Sequence, residues 1–134
     1  MKLNARIIIP LLTLAILAVA CTPVGQPGRI ELSETEFNLG TVPNTEPVSQ
    51  TFQVRNAGQG TLEITGVSTS CGCTTAQVNK NRLGPGETAA LTVTYDPQAH
   101  GGRTGRFMHV VYVRSDDPET PEASLTIWVT VTEP

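Results

Sequence analysis

Residues 124–132, with the sequence SLTIWVTVT, decide the fold class. In this segment Leu125, Ile127, Val129 and Val131 alternate with serine, threonine and tryptophan, so the hydrophobic period is two residues. A period of two is typical of a half-buried antiparallel strand, because successive side chains point to opposite faces of the sheet. No helical stripe of comparable length competes with this pattern. The segment therefore predicts an all-β fold.

The same alternation recurs upstream, and turn sequences separate the runs. The hydrophobic sets are Val48, Phe52 and Val54; Leu62 and Ile64; and Ala89, Leu91, Val93 and Tyr95. The intervening turns are NAGQG at 56–60, GPG at 84–86, GG at 101–102 and DDP at 116–118. Glycine and asparagine tolerate a positive φ and proline presets φ, so these sequences favour chain reversals. About seven or eight short strands with regular turns predict an antiparallel β-sandwich.

Composition excludes one large class of partner. The chain has 134 residues, 16% of them charged, and a net charge of −3. Loss of Lys2 and Arg6 with a leader would take this charge to −5. An acidic chain lacks the basic surface that nucleic-acid binding requires, so we predict no nucleic-acid partner.

The first 20 residues predict an export signal. Lys2 and Arg6 precede an apolar run of 14 residues from Ile7 to Ala20, which is short for a membrane span. The run ends in LAVAC at 17–21, which resembles a bacterial lipobox, although Ala18 stands where the lipobox usually has leucine. The resemblance implies lipidation of Cys21, with acyl chains such as palmitate holding the protein at a membrane. Residues 21–28, rich in proline and glycine, are predicted to be a flexible tether.

A series of landmarks in the body of the chain resembles a bacterial family. The landmarks are FNLGTV at 37–42, FQVRNAG at 52–58, LEI at 62–64, SCGCT at 70–74, GPGE at 84–87 and RSDDP at 114–118. They resemble the DUF1573 family, an immunoglobulin-like domain related to the ASPM/SPD-2/Hydin and major-sperm-protein group. The resemblance covers Ile30 to Val131. It implies an immunoglobulin-like β-sandwich over residues 29–134 in an exported protein, and it implies no chemistry. Asp116 stands where the family often has asparagine, a conservative change in a turn.

Cys71 and Cys73 are the main candidates for chemistry. If Cys21 is lipidated, these are the two remaining thiols, and one residue, Gly72, separates them. A disulfide between them would close a very small ring, which a glycine would help to bend. One hypothesis, which we favour, is a structural role, either as a local bridge in a turn or as two small buried residues that shape a loop between strands. A second is a labile redox pair, and a third is a site for Cu(I) or another soft metal.

A metal site would need ligands beyond the two sulfurs. His100, Met108 and His109 are the candidates, although the sequence does not show that they converge. His100 follows a predicted strand within a loop, where a solvated histidine is the common case. His109 is predicted to point inward with Val111 and Val113, as a hydrogen-bonded core histidine.

An outward-facing apolar patch indicates binding. In the same register Met108, Val110 and Tyr112 face outward, and Trp128 faces outward on the next strand. A hairpin through residues 116–122 would bring these side chains together, and their composition is typical of interface anchors. The opposite register, or a covering segment, would remove the patch.

We therefore predict a non-enzymatic, exported lipoprotein, anchored to a bacterial membrane on its periplasmic or outer side. It would be a binding or structural module for a protein or envelope partner, with no cofactor. The alternative is a thiol-redox or copper-handling lipoprotein that uses Cys71 and Cys73. Gly-x-Ser-x-Gly and phosphate-binding glycine loops are absent from the sequence, so no hydrolase or nucleotide site is predicted.

Overall fold

The computed structural model describes residues 25–134, which form a two-layered β-sandwich. In these residues there are nine strands and one short 3-10 helix. They are β1 (Ile30–Leu32), β2 (Glu36–Pro43), β3 (Val48–Asn56), β4 (Leu62–Thr69), β5 (Thr74–Val78), β6 (Arg82–Leu83), β7 (Thr88–Tyr95), the 3-10 helix (Pro97–His100), β8 (Gly105–Ser115) and β9 (Glu122–Thr132). The sequence predicted seven or eight strands, and the difference lies in short segments such as the two-residue β6.

The strands form one sheet of four and one sheet of five. The four-stranded sheet has the order β1-β3-β7-β5 and is antiparallel throughout. The five-stranded sheet has the order β2-β9-β8-β4-β6, in which β2 pairs parallel to β9 and the other pairs are antiparallel. The β8–β9 hairpin is the one that the sequence predicted. The parallel pairing of β2 with β9 corrects the wholly antiparallel sandwich that the sequence predicted, because hydrophobic alternation carries no information about strand direction.

The core lies between the two sheets and follows the predicted alternation. Its larger part contains Phe52 of β3 and Leu91 of β7, packed against Val111 of β8 and Ile127 of β9. A smaller part lies at one end of the sandwich around Cys73, Tyr95, Val129 and Val131. In β8 and β9, whose inward faces the sequence predicted, every second residue is buried along most of the strand.

The domain begins earlier than the predicted boundary at residue 29. Gly28 is buried, and the Pro27 carbonyl accepts a hydrogen bond from Gly60 at 3.2 Å. A Cβ on Gly28 would lie 2.6 Å from the Leu62 Cα atom, so only glycine allows this approach. The end of the predicted tether is therefore packed on the domain. Glycine here indicated close packing rather than flexibility.

The predicted signal and the lipidation site at Cys21 lie outside the described residues. Among residues 25–134, no helix is long and apolar enough to cross a membrane.

Candidate functional site

Cys71 and Cys73 lie at the end of the sandwich, in the short connection from β4 to β5. They are joined by a disulfide, with their Cα atoms 5.4 Å apart. Cys73 is buried in the smaller part of the core, and Cys71 is half-buried. The sequence left the state of this pair open among three hypotheses, and the structure contains the bridged form.

Hydrogen bonds from neighbouring strands fix the backbone of this connection. The single hydroxyl hydrogen of Thr69 is shared between the carbonyls of Cys71 and Thr74, which lie 2.9 Å and 2.7 Å from its Oγ1 atom. The Asp96 N–H donates to the Cys73 carbonyl at 2.8 Å. Gly72 is exposed, its φ is not positive, and a Cβ there would meet no atom within 4 Å. The bridge therefore does not need glycine between the cysteines, contrary to the argument from sequence.

His109 of β8 points inward and contacts both sulfurs. Its Nδ1 atom lies 3.3 Å from the Cys71 Sγ atom and 3.6 Å from the Cys73 Sγ atom. Its Nε2 atom is buried and has no hydrogen-bond partner in residues 25–134. The ring is buried and hydrogen-bonded through Nδ1, as the sequence predicted, and its partners are the two sulfurs rather than nitrogen or oxygen groups. Burial, followed by the nearby His100, lowers the pKa of His109 and favours the neutral imidazole.

His100 also reaches the disulfide, from a different part of the chain. It is the last residue of the 3-10 helix, which Asp96 caps at its start and Gly101 ends with a φ of 72°. One ring nitrogen of His100 and the two sulfurs lie within 4.8 Å of one another. The ring is half-buried, with its centroid 5.8 Å from that of His109. The expectation of a solvated loop histidine is therefore wrong.

Two aromatic rings line the same region. Tyr95 stacks on His109 with a centroid separation of 4.9 Å, and Phe107 stacks on His109 at 6.5 Å. The Tyr95 hydroxyl is buried without a hydrogen-bond partner among the described residues. Burial, with a smaller effect of Asp96, raises its pKa and keeps the phenol neutral. The site thus places two sulfurs and two imidazoles beside apolar rings. We call Cys71, Cys73, His100 and His109 the sulfur–imidazole cluster.

Met108 does not join this cluster. It precedes His109 on β8, so its side chain points to the opposite face of the sheet, where 53% of it is exposed. Met108 is therefore not a candidate metal ligand, contrary to the prediction from sequence. Because successive side chains of a strand point to opposite faces of the sheet, Met108 and His109 cannot both face the cluster.

The predicted outward patch is present on the five-stranded sheet. Met108 lies directly opposite Trp128 in the β8–β9 pair, and Val110 and Tyr112 continue the row along β8. Met108 is exposed, whereas the other three side chains are half-buried. Polar groups flank the tryptophan: the Arg106 guanidinium lies 4.5 Å from the ring centroid, and the indole N–H donates to Glu36 at 3.0 Å. We call Met108, Val110, Tyr112 and Trp128 the outer patch.

The family of the chain follows from its sequence as well as its fold. Residues 30–131 match the family described as "Protein of unknown function (DUF1573)". The chain belongs to the DUF1573 family. The sequence resemblance and its boundaries are thereby confirmed. No match was found among the curated proteins.

Solved structures show the same fold at low sequence identity. One is a protein of unknown function from Porphyromonas gingivalis W83, with a TM-score of 0.70 and 24% identity over 77% of this chain and 46% of that one. A second is an ASH/PapD-like domain of human CEP192, with a TM-score of 0.61 and 9% identity over 100% of this chain and 99% of that one. A third is the VesB protease of Vibrio cholerae, with a TM-score of 0.62 and 20% identity over 75% of this chain and 31% of that one.

These comparisons support the immunoglobulin-like sandwich and nothing finer. The chain spans less than half the length of the Porphyromonas and Vibrio proteins that it matches. At these identities the likeness is one of fold, and a fold of this kind carries many unrelated functions.

Proposed function

We propose that this protein is a membrane-tethered binding module that takes a protein partner on the outer patch. The observation that carries the proposal is the pairing of Met108 with Trp128 on the solvent face of β8 and β9. Met108 is the exposed large hydrophobic side chain of residues 25–134. Methionine adapts to different surfaces, and tryptophan and tyrosine are frequent anchors of interfaces.

The surroundings of the outer patch have the layout of an interface. Arg106 covers part of Trp128, and Glu36 holds its indole N–H, so polar groups border an apolar centre. Interfaces commonly have such a centre and a polar rim. The patch also lies on central strands of its sheet, whose positions are fixed by neighbours on both sides. A rigid surface loses little entropy on binding.

The tether is the part of the proposal that rests on sequence. Cys21 would carry the lipid, and Pro27 and Gly28, which contact the domain, would set it close to the membrane surface. Metabolic labelling with a palmitate analogue tests this step. Label on the wild-type protein that is lost in Cys21→Ser supports it, and equal label on both proteins contradicts it.

Site-specific photocrosslinking in the producing cells tests the outer patch. A photoreactive residue at Met108 should give a discrete crosslinked adduct, whereas the same residue at Gln53 should not. Gln53 is exposed on β3 of the other sheet, so it is a matched control. Met108→Glu should abolish a crosslink formed from Tyr112, because a carboxylate would have to be desolvated at the interface. Equal adducts at Met108 and Gln53, or no effect of Met108→Glu, would exclude the outer patch.

Thiol–disulfide exchange is a second candidate, favoured by the contact of His109 with both sulfurs. A neutral imidazole whose Nδ1 lies 3.3 Å from Cys71 can donate an N–H hydrogen bond to a thiolate after the bridge is opened. The electrons would come from an envelope dithiol, which becomes a disulfide as Cys71 and Cys73 become thiols. If this candidate holds, replacing both cysteines with serine should abolish the function of the protein in the producing cells. If binding alone matters, the same replacement should leave crosslinking from Met108 unchanged.

A further inference from the structure

The sulfur–imidazole cluster contains more metal-binding groups than a structural disulfide uses. Two sulfurs and two imidazoles meet at one end of the sandwich, brought there by the β4–β5 connection, by β8 and by the 3-10 helix. A buried imidazole normally has a nitrogen or oxygen partner, yet neither ring nitrogen of His109 has one in residues 25–134. The Nδ1 atom of His109 therefore faces both sulfurs and makes no hydrogen bond to nitrogen or oxygen that metal binding would have to break.

We propose that reduction of the Cys71–Cys73 disulfide converts this cluster into a Zn(II) site. The ligands would be both cysteine sulfurs, Nδ1 of His109 and one ring nitrogen of His100. Two sulfur and two nitrogen ligands are the set that tetrahedral zinc prefers. The inference is independent of the binding role of the outer patch, because the two sites lie on opposite faces of β8.

The distances in the oxidised protein already match part of that geometry. With the usual Zn–S and Zn–N lengths and a tetrahedral angle, sulfur and nitrogen ligands lie about 3.5 Å apart. The two Nδ1-to-sulfur distances of His109 are 3.3 Å and 3.6 Å. His100 is farther away, with its ring nitrogen within 4.8 Å of the sulfurs, and would approach by a movement of the 3-10 helix that it ends.

The sulfurs must separate on reduction, and the structure leaves room for this. Zinc-bound thiolates lie about 3.8 Å apart. Cys73 is buried and its carbonyl is held by Asp96, so it would stay in place. Cys71 is half-buried, and the neighbouring Gly72 faces open space, so the Cys71 side chain can rotate outward.

The reaction balances in two steps. An envelope dithiol gives two electrons and two protons to the disulfide, which produces two thiols and an oxidised dithiol. Zn(II) then displaces both thiol protons into solvent, and the imidazoles bind in their neutral form. The complex has no net charge, which suits its position beside Tyr95 and Phe107, because an uncharged centre loses little solvation there.

Zinc titration of reduced and oxidised protein tests the proposal. Every variant carries Cys21→Ser, so that Cys71 and Cys73 are the two thiols present. The protein is reduced with a phosphine, freed of reductant, and titrated anaerobically with Zn(II) against a chromogenic chelator. We expect one zinc per reduced chain, none per oxidised chain, and an affinity at least about 100-fold lower in His109→Leu. Substitution with Co(II) should give the visible spectrum of a tetrahedral thiolate complex.

Several results would overturn the proposal. These are no zinc on the reduced protein, equal zinc affinity in His109→Leu, or tight binding of Cu(I) by the cysteines without any zinc binding. His100→Ala should weaken zinc binding less than His109→Leu does, and unchanged affinity in His100→Ala would overturn the proposed four-ligand site. Circular dichroism of the oxidised variants separates loss of ligands from loss of fold. Because crosslinking from Met108 is measured separately, failure of the zinc site is distinguishable from failure of the binding role.

Discussion

The two ends of the sandwich both bury polar side chains, but they treat them in opposite ways. At the end where β3 finishes, Asn56 is fully buried and makes four hydrogen bonds. Its Oδ1 atom accepts from the backbone N–H groups of Arg29 at 3.0 Å and Gly58 at 2.9 Å. Its Nδ2 atom donates to the backbone carbonyls of Gly60 at 2.7 Å and Leu83 at 3.0 Å. The amide ties three separate segments together.

Asp117 repeats this pattern beside Asn56. Its carboxylate accepts from the N–H groups of Ile30 at 2.9 Å, Glu119 at 2.8 Å and Thr120 at 3.2 Å, and it is 2% exposed. Arg29 lies 3.8 Å away and pairs more closely with the exposed Glu119. The β8–β9 turn is thereby attached to the start of β1.

The opposite end contains the two unpartnered buried polar side-chain atoms of residues 25–134, on Tyr95 and His109. Unpaired buried polar groups destabilise a fold, so they are rare in native proteins. The end with Asn56 and Asp117 therefore pairs its buried polar groups, whereas the end with Tyr95 and His109 leaves two of them without a partner among residues 25–134.

The largest expected effect comes from Asn56→Asp. The two carbonyls that now accept from the Asn56 amide would face a carboxylate, so the free energy of unfolding should fall by about 3–4 kcal/mol. Asn81→Asp adds the same charge at an exposed position and should change stability by less than about 0.5 kcal/mol. Urea unfolding measures both. Equal effects would mean that the hydrogen bonds of Asn56 do not matter.

Asp117→Ala should follow, with a loss of about 2–3 kcal/mol, because three backbone N–H groups lose a charged acceptor. The exposed Asp116 also accepts from a backbone N–H, that of Glu63, at 2.8 Å. Asp116→Ala is therefore the matched control, and we expect it to cost less than half as much. A loss at Asp116 as large as that at Asp117 would show that burial is not the cause.

The same carboxylate should make stability depend on pH. Burial acts to raise the pKa of Asp117, but the hydrogen bonds from Ile30, Glu119 and Thr120, with help from Arg29, hold it below its ordinary value. A lowered pKa in the folded state stabilises the protein above the unfolded pKa of about 4, and this contribution is lost as pH falls through the folded pKa. The stability difference between wild type and Asp117→Asn should therefore be constant near neutrality and shrink below about pH 4. A difference that stays constant on acidification would contradict this assignment.

At the other end, His109→Leu should have little effect on stability or raise it by up to about 1 kcal/mol. Leucine removes an imidazole whose Nε2 atom is unpaired and whose Nδ1 atom meets only sulfur. Thermal and urea unfolding of the oxidised protein give the answer. A loss above about 2 kcal/mol would place His109 with Asn56 as a structural residue.

The smallest effect is expected from Gly72→Ala, with a change in stability below about 0.5 kcal/mol and an intact Cys71–Cys73 bridge. The added methyl group meets open space, and the backbone there needs no positive φ. Thiol counting and unfolding on the same sample measure both properties. Free thiols in the variant would restore the role that the sequence first suggested for this glycine.

Much of the fold could be predicted because one local rule governs it. Alternation placed Phe52, Leu91, Val111 and Ile127 inside and Met108 and Trp128 outside, and the structure has this arrangement. The turn residues between β8 and β9 predicted the hairpin that these two strands form. The sulfur–imidazole cluster followed no local rule, since His100 lies in a 3-10 helix whose approach to Cys71 has no sequence signature.

The sequence by itself determined the class of the fold, the family and the faces of the strands, because a period of two residues and turn chemistry act over short distances. Tertiary structure alone decided that Gly28 packs on Leu62, that β2 runs parallel to β9, and that His109 and His100 reach the Cys71–Cys73 bridge. The physical reason is that these contacts join residues far apart in the chain. Their geometry depends on how two complete sheets pack, which no local pattern encodes.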